Sequence, residues 1–167
     1  MPKQKIPSTG ALRVLKQAGV AFDIHRYAYE SRGGTKVSAR ELGVEHQAVI
    51  KTLVMEDHET KPLIVLMHGN QEVSTRALAR HLGVKTVKPC KPDVAQRHSG
   101  YQVGGTSPFG TRKAMPVYVQ KSIMDLPLIY INGGQRGLLV SIKPAALQSL
   151  LRLELVEVAQ STIADEG

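Results

Sequence analysis

Two glycine-rich loops and one lysine hold most of the chemical potential of this 167-residue chain. Val103-Gly104-Gly105-Thr106-Ser107-Pro108-Phe109-Gly110 runs into Thr111-Arg112-Lys113, and Asn132-Gly133-Gly134-Gln135-Arg136-Gly137 follows the apolar run Leu128 to Ile131. Glycine has no Cβ, so a ligand can approach main-chain N–H groups closely, and each loop couples that backbone to a cationic side chain. Either loop alone could be a tight turn between strands; two of the same make suggest the walls of one site. The lysine is Lys51. In Val49-Ile50-Lys51-Thr52-Leu53-Val54-Met55, strand alternation places it on the face of Val49, Leu53 and Met55. It could be an inward lysine that protects an edge strand from aggregation. It could equally be a desolvated cation at the floor of a pocket, able to bind an anionic or carbonyl oxygen.

Other chemistries find little support. The chain has no Gly-x-Ser-x-Gly elbow, Walker loop, dinucleotide fingerprint, Cys-x-x-Cys or His-Glu-x-x-His. No metal site and no cofactor are expected. The six histidines, His25, His46, His58, His68, His81 and His98, are scattered singly, each expected as a surface or half-buried residue. Cys90 stands between Lys88 and Lys91 and could be an activated nucleophile, but a lone cysteine is more often an inert small hydrophobe. Tyr27 and Tyr29 read as core or rim aromatics, with Tyr27 gaining a functional role only if its strand borders the pocket.

Charge points to the partner. Arg76, Arg80, Lys85, Lys88, Lys91, Arg97, Arg112 and Lys113 face a single acid, Asp93, between residues 76 and 113, whereas residues 37 to 75 carry three basic and six acidic residues. A basic block that runs into the glycine loop implies a phosphate-bearing partner, although a solvated cationic face has the same composition. With 42% hydrophobic residues the chain can bury a genuine core, and its length suits one domain, 1–167, with an ordered core over about 8–158. No apolar run is long enough to cross a bilayer, and the start Met1-Pro2-Lys3-Gln4-Lys5 lacks the apolar segment of a secretory signal. One cysteine suits a reducing compartment, so a cytoplasmic protein is expected.

The elements that must position these residues follow from periodicity and punctuation. Ser8 or Thr9 caps a helix through Gln17, stopped by Gly19. Phe22 to Tyr29 alternates as a strand and leads into a turn at Ser31-Arg32-Gly33-Gly34. A short helix spans Val37 to Leu42 and stops at Gly43; Val49 to Met55 and Leu63 to Met67 form a hairpin. Ser74 caps a helix through Leu82, Val84 to Val87 is a short strand, and Asp93 starts a helical turn through His98. Strands are expected at Val117 to Val119, Leu128 to Ile131 and Leu138 to Ile142. Lys143-Pro144 opens a helix through Leu151. Glu154 to Val158 reads as a last strand and residues 159–167 as a frayed tail. Strands and helices interleave without a regular βαβ period, so the expected class is α/β in the α+β sense, a mixed sheet with surrounding helices. The hairpin and both glycine loops would surround one mouth of that sheet.

The chain resembles the YbaK/EbsC-type family of aminoacyl-tRNA deacylases, which is related to the editing domain inserted in bacterial prolyl-tRNA synthetases. The resemblance rests on Val49 to Val54, on Asp93-Val94-Ala95-Gln96-Arg97 leading to Gly100-Tyr101-Gln102-Val103 and the loop ending at Gly110, and on Ile131 to Gly137. It spans nearly the whole chain, from about Leu12 to Val158. It implies a curved, barrel-like mixed sheet and removal of a wrong amino acid from tRNA, most characteristically cysteine from proline tRNA. In the family's proposed mechanism the substrate's own thiol attacks the ester, which would explain the missing nucleophile. Lys51 would then be the lysine that holds the substrate, and Tyr27 the early-strand tyrosine. Substrate contacts would fall on Thr52, Gly104, Gly105, Ser107, Pro108, Gly110, Asn132, Gly133, Gly134, Arg136 and Gly137. Of these, Gly104, Gly105, Gly133 and Gly134 would orient the ester and terminal adenosine and could stabilise an oxyanion. The basic block would contact tRNA phosphates, and a prolyl-tRNA synthetase is a candidate partner.

Two departures bear on which amino acid is removed. Relatives often follow Arg-Gly-Leu with an acid, where this chain has Leu139, and some carry an aromatic near Gly33-Gly34. Small substitutions of this kind redirect selectivity between side chains that differ by a methyl group. An alanine-type hydrolase that activates water, or a deacylase for another small amino acid such as serine, is therefore the alternative within the class, and a non-catalytic module that binds tRNA or a synthetase is the alternative outside it.

Overall fold

The computed structural model describes residues 8–31 and 33–161. Its centre is an eight-stranded sheet in the order β1-β8-β7-β2-β3-β6-β9, with β5 also paired to β2. The strands are β1 (Asp23–Arg26), β2 (Val49–Asp57), β3 (Pro62–His68), β5 (Val87–Pro89), β6 (Val117–Gln120), β7 (Ile129–Gln135), β8 (Leu138–Ile142) and β9 (Leu153–Val156). Pairs β2/β7, β3/β6 and β6/β9 are parallel and the others antiparallel, so the sheet is mixed as expected. It runs from β1 to β9 as an open path and is not closed into a barrel. The helices are α1 (Gly10–Gln17), α2 (Gly34–Leu42), α3 (Thr75–Leu82), α4 (Pro92–Ser99) and α5 (Ala145–Leu150).

Period-two alternation sorts the apolar residues onto two faces. Ile50 and Val54 of β2, Ile64 and Leu66 of β3, and Ile129 and Ile131 of β7 face the main core, where Leu12 and Leu15 of α1 and Phe109 pack against them. Phe109 is 1% exposed, and burying a side chain of that size is worth about 1.5–3 kcal/mol. The other face carries two smaller clusters. Val49, Leu139 and Ala39 form one, with Tyr27, Leu42 and Tyr130 against it. Met55, Val65, Met67 and Leu78 anchor the other, with Leu53 against it.

The local reasons for each element are those of the sequence, and most differences lie at element ends. Thr9 caps α1, its Oγ1 accepting from the Leu12 N–H at 3.1 Å. Ser74 caps α3 in the same way through Ala77. The expected strand at Val84 to Val87 moves to Val87–Pro89, because the Val84 N–H closes α3 by donating to Ala79 O at 3.0 Å. The first strand ends at Arg26, opposite Leu138, where its partner strand turns back at Gly137. Part of the expected tail is ordered: β10 (Ala159–Ser161) pairs with β4 (Gln71–Val73). Residues 162–167 of that tail, Arg32 of the expected turn and the start Met1 to Lys5 lie outside the described residues.

One histidine contradicts its expectation. His68 is 0% exposed, with Nδ1 2.8 Å from Gln47 O and Nε2 2.7 Å from Ser122 Oγ. A carbonyl can only accept, so Nδ1 carries a hydrogen and donates it to Gln47 O, while Nε2 pairs with the Ser122 hydroxyl, which can donate or accept. Both ring nitrogens are satisfied by that arrangement, which is what permits full burial of a polar ring at the end of β3.

Candidate functional site

The site begins where two parallel strands part. On the β2 edge away from β3, the β7 ladder covers only Val49 and Ile50, and the β5 ladder begins at Met55. Past Ile131, β7 turns aside through a register irregularity between Asn132 and Gln135. Lys51 lies at the start of this divergence. β2 is an inner strand of the sheet, but neither ladder covers its second edge between Ile50 and Met55, and Lys51 stands at that gap. The half-buried Lys51 stands opposite Met67 of β3, between the Val49 cluster and the Leu53–Met55 cluster. Thr52 points to the opposite face, towards the main core. Its Oγ1 is buried with no hydrogen-bond partner among the described residues.

Asn132 locks the two glycine loops together. It is 9% exposed, its Oδ1 accepts from the N–H groups of Gly134 (2.7 Å) and Gln135 (3.1 Å), and its Nδ2 donates to Gly104 O at 3.1 Å. Arg136 adds a second tie, its Nε donating to Val103 O at 2.9 Å. Thr9 secures the far side, donating from Oγ1 to Gly133 O at 2.6 Å. A Cβ on Gly105 would stand 2.8 Å from Arg136 N and 2.9 Å from Gln135 C, both backbone atoms. Glycine at 105 is thus what lets one loop lie against the other.

These bonds separate supporting residues from exposed ones. The N–H of Gly105 already donates to Gln102 O and that of Gly134 to Asn132 Oδ1. Ser107 and Pro108 are buried under the loop, with Ser107 Oγ accepting from the Phe109 N–H at 3.1 Å. Gly110, at φ +66°, turns the chain where a Cβ would meet Gly10 O at 2.9 Å. The loop positions open to solvent are therefore Gln102 to Gly104 and, at its end, Gly110.

Tyr27 borders a cleft of about 490 Å³ lined by Arg26, Tyr27, Ala28, Tyr29, Arg136 and Gly137. Its N–H donates to Gly137 O at 3.0 Å, and burial raises the phenol above its ordinary pKa. Tyr27 and Tyr130 pack on the same small cluster as Val49 and Leu139, so Tyr27, Asn132, Lys51 and Leu139 share one side of the sheet. Leu139 is 4% exposed and directly opposite Asn132 in the β7/β8 ladder. Gly33 and Gly34 begin α2, which packs on β2; a Cβ on Gly33 would lie 2.4 Å from Val37 Cγ2. Tyr29 reads from sequence as a core or rim aromatic; in the fold the Arg136 guanidinium lies 5.0 Å over its ring.

All eight cations of the basic block are exposed. Arg112 and Lys113 are held against the end of α4 by their N–H groups, which donate to Ser99 O (3.0 Å) and His98 O (2.9 Å). They and Arg97 therefore adjoin the first glycine loop. Arg76 and Arg80 lie on α3, beyond β5, with Lys85 and Lys88 between. A larger cleft of about 600 Å³, lined by Arg80, His81, Lys121 and Val156 among others, includes neither Lys51 nor any residue of the two glycine loops.

Cys90 is poorly placed as a nucleophile. It packs against the main core, on the opposite face from Lys51, and burial followed by the nearby Glu56 charge pushes its thiol up to about 11. The thiol form dominates at neutral pH, and thiolate is the reactive species. Cys90→Ala is expected to keep kcat/KM within about twofold in a deacylation assay; an inactive, folded variant would restore the nucleophile. No group of three or more His, Cys, Asp or Glu capable of holding a metal occurs among the described residues, and no helix there is long and apolar enough to cross a membrane.

The chain is similar in sequence and fold to known proteins. Residues 33–150 match the family model of the aminoacyl-tRNA editing domain. EbsC of Enterococcus faecalis, named as a candidate Cys-tRNA(Pro)/Cys-tRNA(Cys) deacylase, is 30% identical over 160 residues, 95% of this chain and 98% of EbsC. The proline–tRNA ligase of Limosilactobacillus fermentum is 24% identical over 126 residues, which cover 73% of this chain and 22% of that enzyme. Among solved structures, a candidate trans-editing enzyme for prolyl tRNA synthetase superposes with a TM-score of 0.80 at 21% identity, covering 93% of this chain and 100% of that one.

Proposed function

The chain belongs to the aminoacyl-tRNA editing domain family, and from that premise we propose that it clears mischarged proline tRNA in trans, with cysteine the leading amino acid. The observation that carries the reading is Lys51 in an apolar sheet face, at the point where β2 and β7 part beside two interlocked glycine loops. A cation in such a setting is weakly screened and can hold an ester or carboxyl oxygen far better than one in water. Tyr27, Asn132 and Leu139 shape the amino-acid pocket on the same side. With the Gly105 and Gly134 N–H groups engaged internally and Gly133 buried in β7, the exposed Gly104 is the backbone group assigned to the reacting carbonyl.

The chemistry needs no protein nucleophile. The substrate sulfur attacks the ester carbonyl carbon, the bond to the ribose oxygen breaks, and that oxygen takes the thiol proton. The products are a cysteine thiolactone and tRNA with a free terminal hydroxyl. Orientation of thiol and ester then supplies most of the acceleration, which suits a site built from rigid backbone. Exposed Arg97, Arg112 and Lys113 beside the loop, with the rest of the basic block, would contact tRNA phosphates. The reading places the whole chain in the cytoplasm as one acting domain. It makes a prolyl-tRNA synthetase the expected collaborator, since the matching stretch of the ligase is part of a longer enzyme.

Buried Leu139 opposite Asn132 favours a second reading, in which a small apolar side chain is the better substrate. Deacylation of proline tRNA charged in turn with cysteine, alanine and serine tests both. Substrate-assisted cleavage predicts rapid loss of cysteine with almost no turnover of alanine or serine. Equal turnover of alanine would establish the water-using hydrolase, and no turnover of any charged tRNA would overturn the deacylase reading.

A further inference from the structure

We propose that Arg136, backed by Tyr29, is a stacking platform for the terminal nucleobase of the tRNA, with Tyr29 as its positioning residue. The inference rests on the deacylase reading and names the subsite that takes the nucleotide end of the substrate. Arg136 is exposed, yet its side chain is held at two points: Nε donates to Val103 O at 2.9 Å, and the guanidinium carbon lies 5.0 Å over the Tyr29 ring. Long exposed side chains usually sample many rotamers, and the rotamer freedom lost on ordering one opposes binding. Here that ordering is already done.

The ring is fixed in turn by the first glycine loop. A Cβ on Gly104, at φ +91°, would stand 2.9 Å from Tyr29 Oη and 3.0 Å from its Cε2, so loop and ring are in close contact. Val103, next to it, is 45% exposed, the most exposed large apolar side chain of the described residues. The cleft beside this stack contains Arg26 as well as Arg136 and no acidic lining residue. A planar cation with an apolar neighbour and a second guanidinium nearby suits a flat aromatic group that bears phosphate. Guanidinium planes and aromatic rings are the surfaces on which unpaired bases stack. An acidic peptide would use the charges but not the flat face or Val103.

The test compares Cys-charged proline tRNA with cysteine ethyl ester, which has the same reacting ester and no nucleotide. Tyr29→Ala is expected to raise KM for the charged tRNA roughly tenfold, with kcat much less affected. Its kcat/KM ratio of charged tRNA to ethyl ester should fall by the same factor. Tyr29→Phe should restore the ratio, because the ring and not the hydroxyl backs the guanidinium. Tyr29→Leu, which keeps bulk without a π face, should behave as Tyr29→Ala and covers the case in which alanine does not fold. An unchanged ratio in Tyr29→Ala, or loss in Tyr29→Phe as large as in Tyr29→Ala, would overturn the proposal. Binding of the RNA trinucleotide CCA, followed by chemical-shift titration, reads the platform without turnover. Weaker binding of roughly tenfold in Tyr29→Ala supports it even if no charged tRNA is cleaved, and equal binding with active wild type refutes it alone.

Discussion

Lys51→Ala is expected to lower kcat/KM for Cys-charged proline tRNA by about 100-fold, the scale of losing a preorganised group that stabilises developing oxygen charge. The lysine sits between apolar neighbours, with Val49 on one side and Leu53 and Met55 on the other, on an inner strand where the β7 ladder has just ended. Loss of activity in a variant that stays folded separates the functional reading from a structural one. Thermal unfolding beside single-turnover deacylation makes the check, and Lys51→Met, which preserves length and apolar volume, should be equally inactive. A folded Lys51→Ala that retains activity within about threefold would mean that Lys51 stabilises no oxygen charge in the reaction.

Gly105→Ala should be nearly as damaging for a different reason. Its Cβ would stand 2.8 Å from Arg136 N and 2.9 Å from Gln135 C, and neither atom belongs to a side chain that can swing away. The first loop must lift from the second, which strains the Asn132 Nδ2 bond to Gly104 O and the Arg136 Nε bond to Val103 O. A displacement of about 1 Å at a positioning group costs on the order of 100-fold in rate, so kcat/KM should fall by about that factor. The core of α1, Phe109 and the sheet is untouched, and urea unfolding should show a much smaller relative change than activity does. Full activity in Gly105→Ala would show that contact between the loops is not required for the reaction.

Much of this was readable from residue order, and the reasons are local. Alternation in Val49 to Met55 placed Lys51 on an apolar face, and Thr9, Ser74, Gly43 and Gly83 marked helix ends through capping chemistry that depends only on near neighbours. The motif order from Lys51 to Gly137 indicated the editing family, which the match over residues 33–150 bears out. What could not be read involved residues far apart in sequence. His68 looked like one of six scattered histidines, and its burial depends on Gln47 and Ser122, which only the folded chain brings to it. The strand at Ala159–Ser161 was hidden because its partner, Gln71–Val73, is short, polar and about ninety residues earlier.

The sequence by itself determined the kind of protein: an α/β chain with a lysine in an apolar strand, two glycine loops and a basic block beside the first. Composition and short-range periodicity carry that information because they act within a turn or a strand. Tertiary structure alone decided how the groups divide the work. Asn132 joins the loops across 28 residues, and the Gly105 and Gly134 N–H groups are already used within them. Ser107 and Pro108 support the loop from below, and Arg136 rests on Tyr29. Hydrogen bonds and ring contacts between distant segments depend on where the sheet delivers each strand, and β7 reaches Lys51 by pairing in parallel with β2 only at Val49 and Ile50 before the strands part.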